Sequence, residues 1–305
     1  MRIVVIGYGS IGKRHTKVLE EMSHQVMVVS RRDIPFAAHC KSLKEAFNKH
    51  IPDYVVVAGK TSEHYCTIQE LDELGFSGKV LIEKPLFDTF RPIIQNSFSF
   101  AAVAYNLRFH PIIQKLKSIL FNVEVKIFSG SIYVGSYLPN WRMGSNYKQS
   151  YSAKKNEGGG VLRDLSHELD LALWLFGNWT HMTAEGGHYS DLIINSDDVF
   201  SIIMKTSRCP ILTIQMNYLD RTPKRLIIIN TNQGTISVDL IRNSIDINGE
   251  NETIDYSLDD TYYSEHKAVM NEDLSVLCSL EEAQMVLETI DTAEITALSK
   301  KWVTR

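Results

Sequence analysis

Residues Arg2–Met22 read RIVVIGYGSIGKRHTKVLEEM, and Gln25–Ser30 follow as QVMVVS. The first apolar, β-branched run fits a strand buried on both faces of a parallel sheet. It runs directly into Gly7, Gly9 and Gly12 at G-x-G-x-x-G spacing, then into a helical pattern, then into a second apolar run. That order turns a common glycine pattern into a dinucleotide-binding βαβ unit. Gly7 permits a tight turn, Gly9 lets the backbone approach a pyrophosphate, and Gly12 lets the helix pack close to the strand. Tyr8, Ser10 and Ile11 complete the loop, and the first N–H groups of the helix face the phosphates.

Outward from this unit the alternation continues. The second strand ends at Ser30, Arg31 and Arg32, where an NAD site usually carries a carboxylate; none occurs before Asp33. A hydroxyl and a guanidinium suit a 2′-phosphate, so NADP is the expected cofactor and NAD the other candidate. A solvated arginine loop is the competing explanation. A third strand, Tyr54–Ala58, leads to Thr61 and His64 at the edge where a cofactor crevice opens. A fourth, KVLIEKPL, ends at Glu83 and Lys84, with Pro85 restricting Lys84 to extended geometry. A fifth, Ala101–Tyr105, leads to Asn106, Arg108 and His110, and Glu83, Lys84 and Asn106 are expected at the cofactor. The expected first domain is a doubly wound α/β Rossmann domain over residues 1–118.

From about Asn122 the pattern changes to one-face alternation, as in ILTIQMNY, with short turns rich in Asn, Gly and Ser. This predicts an α+β domain over 119–305 with an open, mainly antiparallel sheet of roughly six strands. A closing helix starts at Ser279, with Glu282 three residues on, a capping-box pattern.

Between these strands stands GGGVLRDLSHELDLALWLFG, Gly158–Gly177. The glycines are expected to form a loop that approaches a ligand, with a helix beginning near Val161. Asp164, His167 and Leu171 then share one helical face, and Trp174–Phe176 make the far end apolar. Helix-cap chemistry accounts for Asp164 but not for His167. His167 is open to three readings: a core or cap histidine, a metal ligand, or an acid/base or substrate ligand. HELDL begins like H-E-x-x-H, but Leu171 stands at the second histidine position, so no metal is expected. Trp141, Arg142, Tyr147 and Tyr151 precede the glycines as candidate walls for a ligand, or as ordinary loop packing. Arg221 and Arg225 suit an anionic substrate group or a solvated hairpin equally.

Composition excludes several classes. The chain has 305 residues, 44% hydrophobic and 22% charged, and a net charge of −4, with no basic patch for nucleic acid. No apolar run approaches the roughly 18 residues that span a bilayer. The N-terminus reaches its glycine turn too soon for a signal peptide. The four cysteines, Cys40, Cys66, Cys209 and Cys278, form no C-x-x-C pair, as expected of thiols in a cytoplasmic protein.

Taken together, the glycine motif, TSEH, EKPL, YNLRFHP and the GGG segment resemble the Gfo/Idh/MocA family of NAD(P)-dependent oxidoreductases, along nearly the whole chain. GSIGKRH, YLPNWR and DLSHELD are similar to a branch associated with cell-surface sugar pathways. The resemblance implies hydride transfer at a sugar or sugar-derivative carbon, with Lys84, His167 and Asp164 as catalytic residues that also face the substrate, beside Arg108, Trp141, Arg142 and Tyr151. It also implies a sheet that covers the cofactor site on one side and forms a homodimer or homotetramer on the other. The family carries Asp-x-x-x-His-x-x-Asp; here Asp164 stands three residues before His167, and Glu168 occupies the place four residues after Asp164. A cofactor-binding regulator without turnover, and a reductase of a non-sugar C=O or C=N bond, are the alternatives.

Overall fold

The computed structural model describes residues 1–142, 144 and 146–305 and forms two compact units. The first comprises Met1–Phe109 and Ser257–Gln284, the second His110–Tyr256 and Met285–Arg305.

The first unit opens with β1 (Arg2–Ile6), α1 (Ser10–Glu21), β2 (Gln25–Val29), β3 (His39–Cys40), α2 (Leu43–Lys49), β4 (Tyr54–Val57), α3 (His64–Glu73), β5 (Lys79–Ile82) and β6 (Phe100–Val103). The six strands form one all-parallel sheet in the order β3-β2-β1-β4-β5-β6. Strand order reverses between β1 and β4, the switch point at which doubly wound sheets bind ligands. The predicted runs are buried through: Ile3, Val4, Val5 and all of β4 have no exposed surface.

The second unit begins at α4 (Pro111–Leu120), whose first position is proline and whose N–H at Ile112 is accepted by the His110 ring. There follow β7 (Ile127–Gly135), α5 (Val161–Asp164), α6 (His167–Phe176), β8 (Trp179–Gly187), β9 (Val199–Thr206), β10 (Leu212–Asn217), β11 (Lys224–Thr231), β12 (Gly234–Asp239), β13 (Ser244–Ile247) and β14 (Glu250–Thr253). On β10 the expected alternation is realised: Leu212, Ile214 and Met216 are buried, while Gln215 faces out.

Ser257 then caps α7 (Leu258–Met270), a capping box with Asp260, and Ser279 caps α8 (Leu280–Ser299). The expected box on α8 is present: Ser279 N–H donates to Glu282 Oε2 at 3.0 Å and Glu282 N–H to Ser279 Oγ at 3.2 Å. The chain ends in β15 (Val303–Thr304), paired with β8.

The second sheet has nine strands, β14-β13-β12-β11-β7-β10-β9-β8-β15, antiparallel except where β10 runs parallel to β7. The strands beyond the expected six lie at its two edges. β14 reads ENET and is exposed throughout, β15 has two residues, and β8 mixes polar residues with glycine, so none announces itself by alternation.

The expected single boundary at 118/119 differs from the observed division. Helix α7 lies outside the expected elements, and it belongs with the first unit because its Ala268 and Val269, with Leu277 just beyond it, join the core of Ile3, Val5, Leu19, Tyr54 and Leu81. Val103 N–H also donates to Cys278 carbonyl at 2.9 Å.

Candidate active site

At the end of β1 the backbone turns at Gly7 with φ +98°. A side chain there would place Cβ 2.5 Å from the Ala58 carbonyl oxygen, and one at Gly12 would place it 2.2 Å from that of Gly7. Both glycines are therefore demanded by strand–helix packing. Gly9 differs: a Cβ there meets nothing within 4 Å, and Gly9 caps α1 without any side-chain bond. The loop thus offers bare N–H groups toward open space, which fits a dinucleotide pyrophosphate. Ser10 is exposed, Ile11 half-buried, and the Tyr8 ring sits 5.9 Å from Phe36.

Ser30 lies at the end of β2, buried, with its hydroxyl accepting the Arg32 N–H at 3.2 Å. Arg31 is largely exposed and pairs with Glu63 at 2.5 Å. Asp33, the late carboxylate, is fully exposed and pairs with Lys41. Thr61 opens a single helical turn, Thr61–Glu63, that runs into α3.

Three of the residues expected at the cofactor or substrate are buried and occupied elsewhere. His64, expected against the cofactor, is 1% exposed and donates from Nδ1 to the Leu86 carbonyl at 3.2 Å; burial lowers its pKa. It braces the loop that follows Lys84–Pro85. Asn106 donates to Thr261 Oγ1 at 3.0 Å. Arg108, expected toward the substrate, is 2% exposed and donates to the Leu277 carbonyl at 3.2 Å and to Glu282 at 2.8 Å. A guanidinium so enclosed ties the return segment to its own unit. It has no surface left for a substrate. Glu83 and Lys84 follow β5 directly, and Glu83 Oε2 accepts the Lys84 N–H at 3.1 Å.

The second unit assembles a separate cluster around Asp164, at the end of α5. The Tyr218 hydroxyl donates to Asp164 Oδ2 at 2.6 Å. The charge of Asp164, then burial, pushes the Tyr151 hydroxyl far above the usual phenol range; burial, then Asp164, does the same to Tyr218. Both phenols therefore stay protonated as donors. Trp141 meets Tyr218 edge-on at 5.1 Å, and the Arg142 guanidinium lies 5.5 Å from the Tyr151 ring. Trp141, Arg142, Tyr151 and Asp164 are legible as candidates in the sequence. Tyr218, which reads there only as one face of a strand, joins them through β10.

The expected single helix from Val161 is interrupted. α5 ends at Asp164, and α6 starts at His167. Between them Ser166 N–H reaches Arg163 O at 3.4 Å and Glu168 N–H reaches Leu165 O at 3.2 Å, bonds three residues apart. That tightened turn removes the regular helical phase that a shared face for Asp164 and His167 requires. His167 is half-buried at the mouth of α6. Glu168 is 1% exposed and pairs with Arg225 Nε at 2.7 Å, so that carboxylate and that arginine are committed to each other.

The glycines also answer to the protein itself. A Cβ at Gly159 would lie 2.1 Å from the Tyr151 carbonyl oxygen, and one at Gly160, where φ is +121°, 2.2 Å from Asp197 Oδ1. The close approach expected of a ligand is made by Tyr151 and Asp197. Among the described residues, no group of three or more His, Cys, Asp or Glu side chains is arranged for a metal ion, and no helix is long and apolar enough to cross a membrane.

Residues 1–96 match the oxidoreductase family with an NAD-binding Rossmann fold, and residues 127–254 match the GFO/IDH/MocA C-terminal domain. The chain belongs to the Gfo/Idh/MocA family. It is an NAD(P)-dependent oxidoreductase of that family. Solved structures agree at the level of fold over 100% of the chain. GenD2 from gentamicin A biosynthesis, in complex with NAD, is 18% identical with a TM-score of 0.83 over 96% of its length. Levoglucosan dehydrogenase in complex with NADH is 16% identical with 0.83 over 98%. The WlbA dehydrogenase from Bordetella pertussis, in complex with NADH and UDP-GlcNAcA, is 17% identical with 0.81 over 98%. No curated protein matches the chain in sequence. Family membership favours turnover over a nicotinamide-binding regulator.

Proposed function

We propose that the protein transfers a hydride between NADP(H) and a carbinol or carbonyl carbon of a sugar or sugar derivative. The observation that carries the substrate class is the second-unit cluster. Asp164 collects two protonated phenols beside an indole and a guanidinium, apolar rings for a pyranose face and polar groups for its hydroxyls. The sugar-derived ligands of levoglucosan dehydrogenase and WlbA support the same class.

When bound, the nicotinamide supplies the hydride acceptor or donor. Gly7–Gly12 hold the pyrophosphate, and Ser30, Arg31 and Arg32 take the ribose 2′-phosphate. Lys84 orients and polarises the substrate hydroxyl, and His167 exchanges its proton as the hydride leaves or returns. Asp164 holds the tyrosines and positions the substrate. A homodimer or homotetramer through the C-terminal sheet is supported by Phe128, Ile203 and Ile228, apolar side chains exposed on β7, β9 and β11. A cytoplasmic location fits the cysteine usage.

A screen by nicotinamide absorbance, in both directions, against free sugars and nucleotide sugars tests the reading. Turnover with a member of either class is expected. Turnover confined to non-sugar carbonyls or imines overturns the substrate class.

A further inference from the structure

Four polar side chains from four separate elements of the first unit form one buried chain. His15, on α1, places Nε2 2.8 Å from Glu83 Oε1 and Nδ1 2.9 Å from Nε2 of His266, on α7. The Tyr54 hydroxyl, on β4, lies 2.9 Å from His266 Nδ1. His15, Tyr54 and His266 have no exposed surface, and the Glu83 side chain, 12% exposed, is the open end.

Glu83 Oε2 accepts the Lys84 N–H, and its Oε1 shares a hydrogen bond with His15 Nε2. Burial, then the neighbouring His15, holds His266 well below the usual histidine range, and burial keeps Tyr54 a phenol. Tyr54, His266, His15 and Glu83 thus form one continuous run of hydrogen bonds that ends on the Lys84 N–H.

Other ionisable groups surround this chain. The Tyr262 ring meets His15 edge-on at 5.3 Å and carries the Arg14 guanidinium on its face; His24 acts on His266 at longer range. Glu265 is fully buried, and neither of its carboxyl oxygens finds a hydrogen-bond partner among the described residues. Burial, then Glu83, pushes it well up, so it adds no second negative charge. Packing alone does not account for so many polar groups at zero exposure, since apolar residues of similar volume fill such a site at lower cost.

We propose that His15 and His266 are positioning residues for the oxidoreductase reaction: with Tyr54 they form a buried hydrogen-bonded chain that holds the Glu83 side chain on the backbone of Lys84 and so sets where the lysine stands at the end of β5. This rests on the reading of Lys84 as the hydroxyl-orienting residue.

The test compares His266→Phe, which keeps an aromatic ring, with His266→Gln, which retains one donor and one acceptor. The sugar substrate is the one found in the screen. Three quantities are read: kcat and KM, calorimetric affinity for NADP(H), and NMR titration of the Lys84 ammonium in protein labelled at lysine Cε, without substrate. His266→Phe is expected to lower kcat about tenfold or more while KM and cofactor affinity stay within about threefold. The lysine titration should move by about half a pH unit or more. His266→Gln should recover most of both. If His266→Phe does not fold, Tyr54→Phe, which deletes one oxygen, is expected to shift kcat and the lysine titration the same way. A folded His266→Phe or Tyr54→Phe with the parent kcat and the parent lysine titration overturns the proposal. Lys84→Met separates the two ideas. Full turnover in that variant refutes the role of Lys84 itself, whereas its loss alongside unaffected relay variants refutes only the relay.

Discussion

His167 stands half-buried at the first position of α6, one tightened turn beyond Asp164. If its ring exchanges the substrate proton, His167→Asn should fold and bind NADP(H) like the parent, since asparagine keeps a polar group at the same site. Turnover should fall roughly a hundredfold or more, and the pH limb that the imidazole provides should vanish from the kcat profile. Full activity across the pH range would reduce His167 to a cap. Arg31 carries the second residue-scale prediction. Its partner Glu63 is an exposed one, and such a pair contributes only about 0–1 kcal/mol. A charge-assisted phosphate contact contributes about 1.5–3 kcal/mol, so a 2′-phosphate should win the guanidinium. Calorimetry should show at least about tenfold tighter NADPH than NADH, a preference that Arg31→Ala removes. Equal affinities in the parent would return the site to NAD.

The turn into α5 is held from outside the segment. Asp197 accepts the Leu162 N–H at 3.1 Å, and its backbone carbonyl accepts the Val161 N–H at 3.1 Å. Gly160 fits beneath that carboxylate only without a Cβ, in a backbone region that costs an L-residue about 1–3 kcal/mol before any clash. Gly160→Ala should therefore destabilise the protein by about 2–4 kcal/mol, read as a fall in the chemical-denaturation midpoint, and should loosen the Asp164 cluster with it. A midpoint equal to the parent's would show that Asp197 yields freely. The start of α8, by contrast, is readable in the sequence. The Ser279–Glu282 box forms as spaced, because a cap joins residues three apart and needs nothing beyond its own turn.

Buried ionisable groups make the stability of the whole molecule depend on pH. Glu265 has its folded value raised by burial, so its contribution is fully present below about pH 4.3 and is lost as pH rises toward the folded value. His266 has its value depressed, so its contribution is present above about pH 6.5 and is lost as pH falls through the folded value. Replacing Glu265 by glutamine removes the first dependence and keeps the shape. Relative to the parent, Glu265→Gln should gain stability from pH 5 to pH 8, by at most about 1.4 kcal/mol per pH unit. Urea unfolding of both proteins across that range measures it, and parallel curves would mean that Glu265 is already ionised in the fold.

The βαβ opening, the strand alternation, the cap of α8 and the motifs that mark the family are all readable from the sequence, because each rests on residues a few positions apart. Turn glycines, two-residue and 3.6-residue periods and caps are local physics. The pairings that define the site are not. Arg108 reads as a polar residue after a strand until Leu277 and Glu282 enclose it. Glu168 reads as a second acid until Arg225 takes it from β11. Gly159 and Gly160 read as a ligand loop until Tyr151 and Asp197 fill the space beside them. His15 and His266 stand 251 residues apart and meet only because α7 returns to the first unit. Side chains so distant leave no period in the sequence, and which of them share a hydrogen bond is decided by how the elements pack.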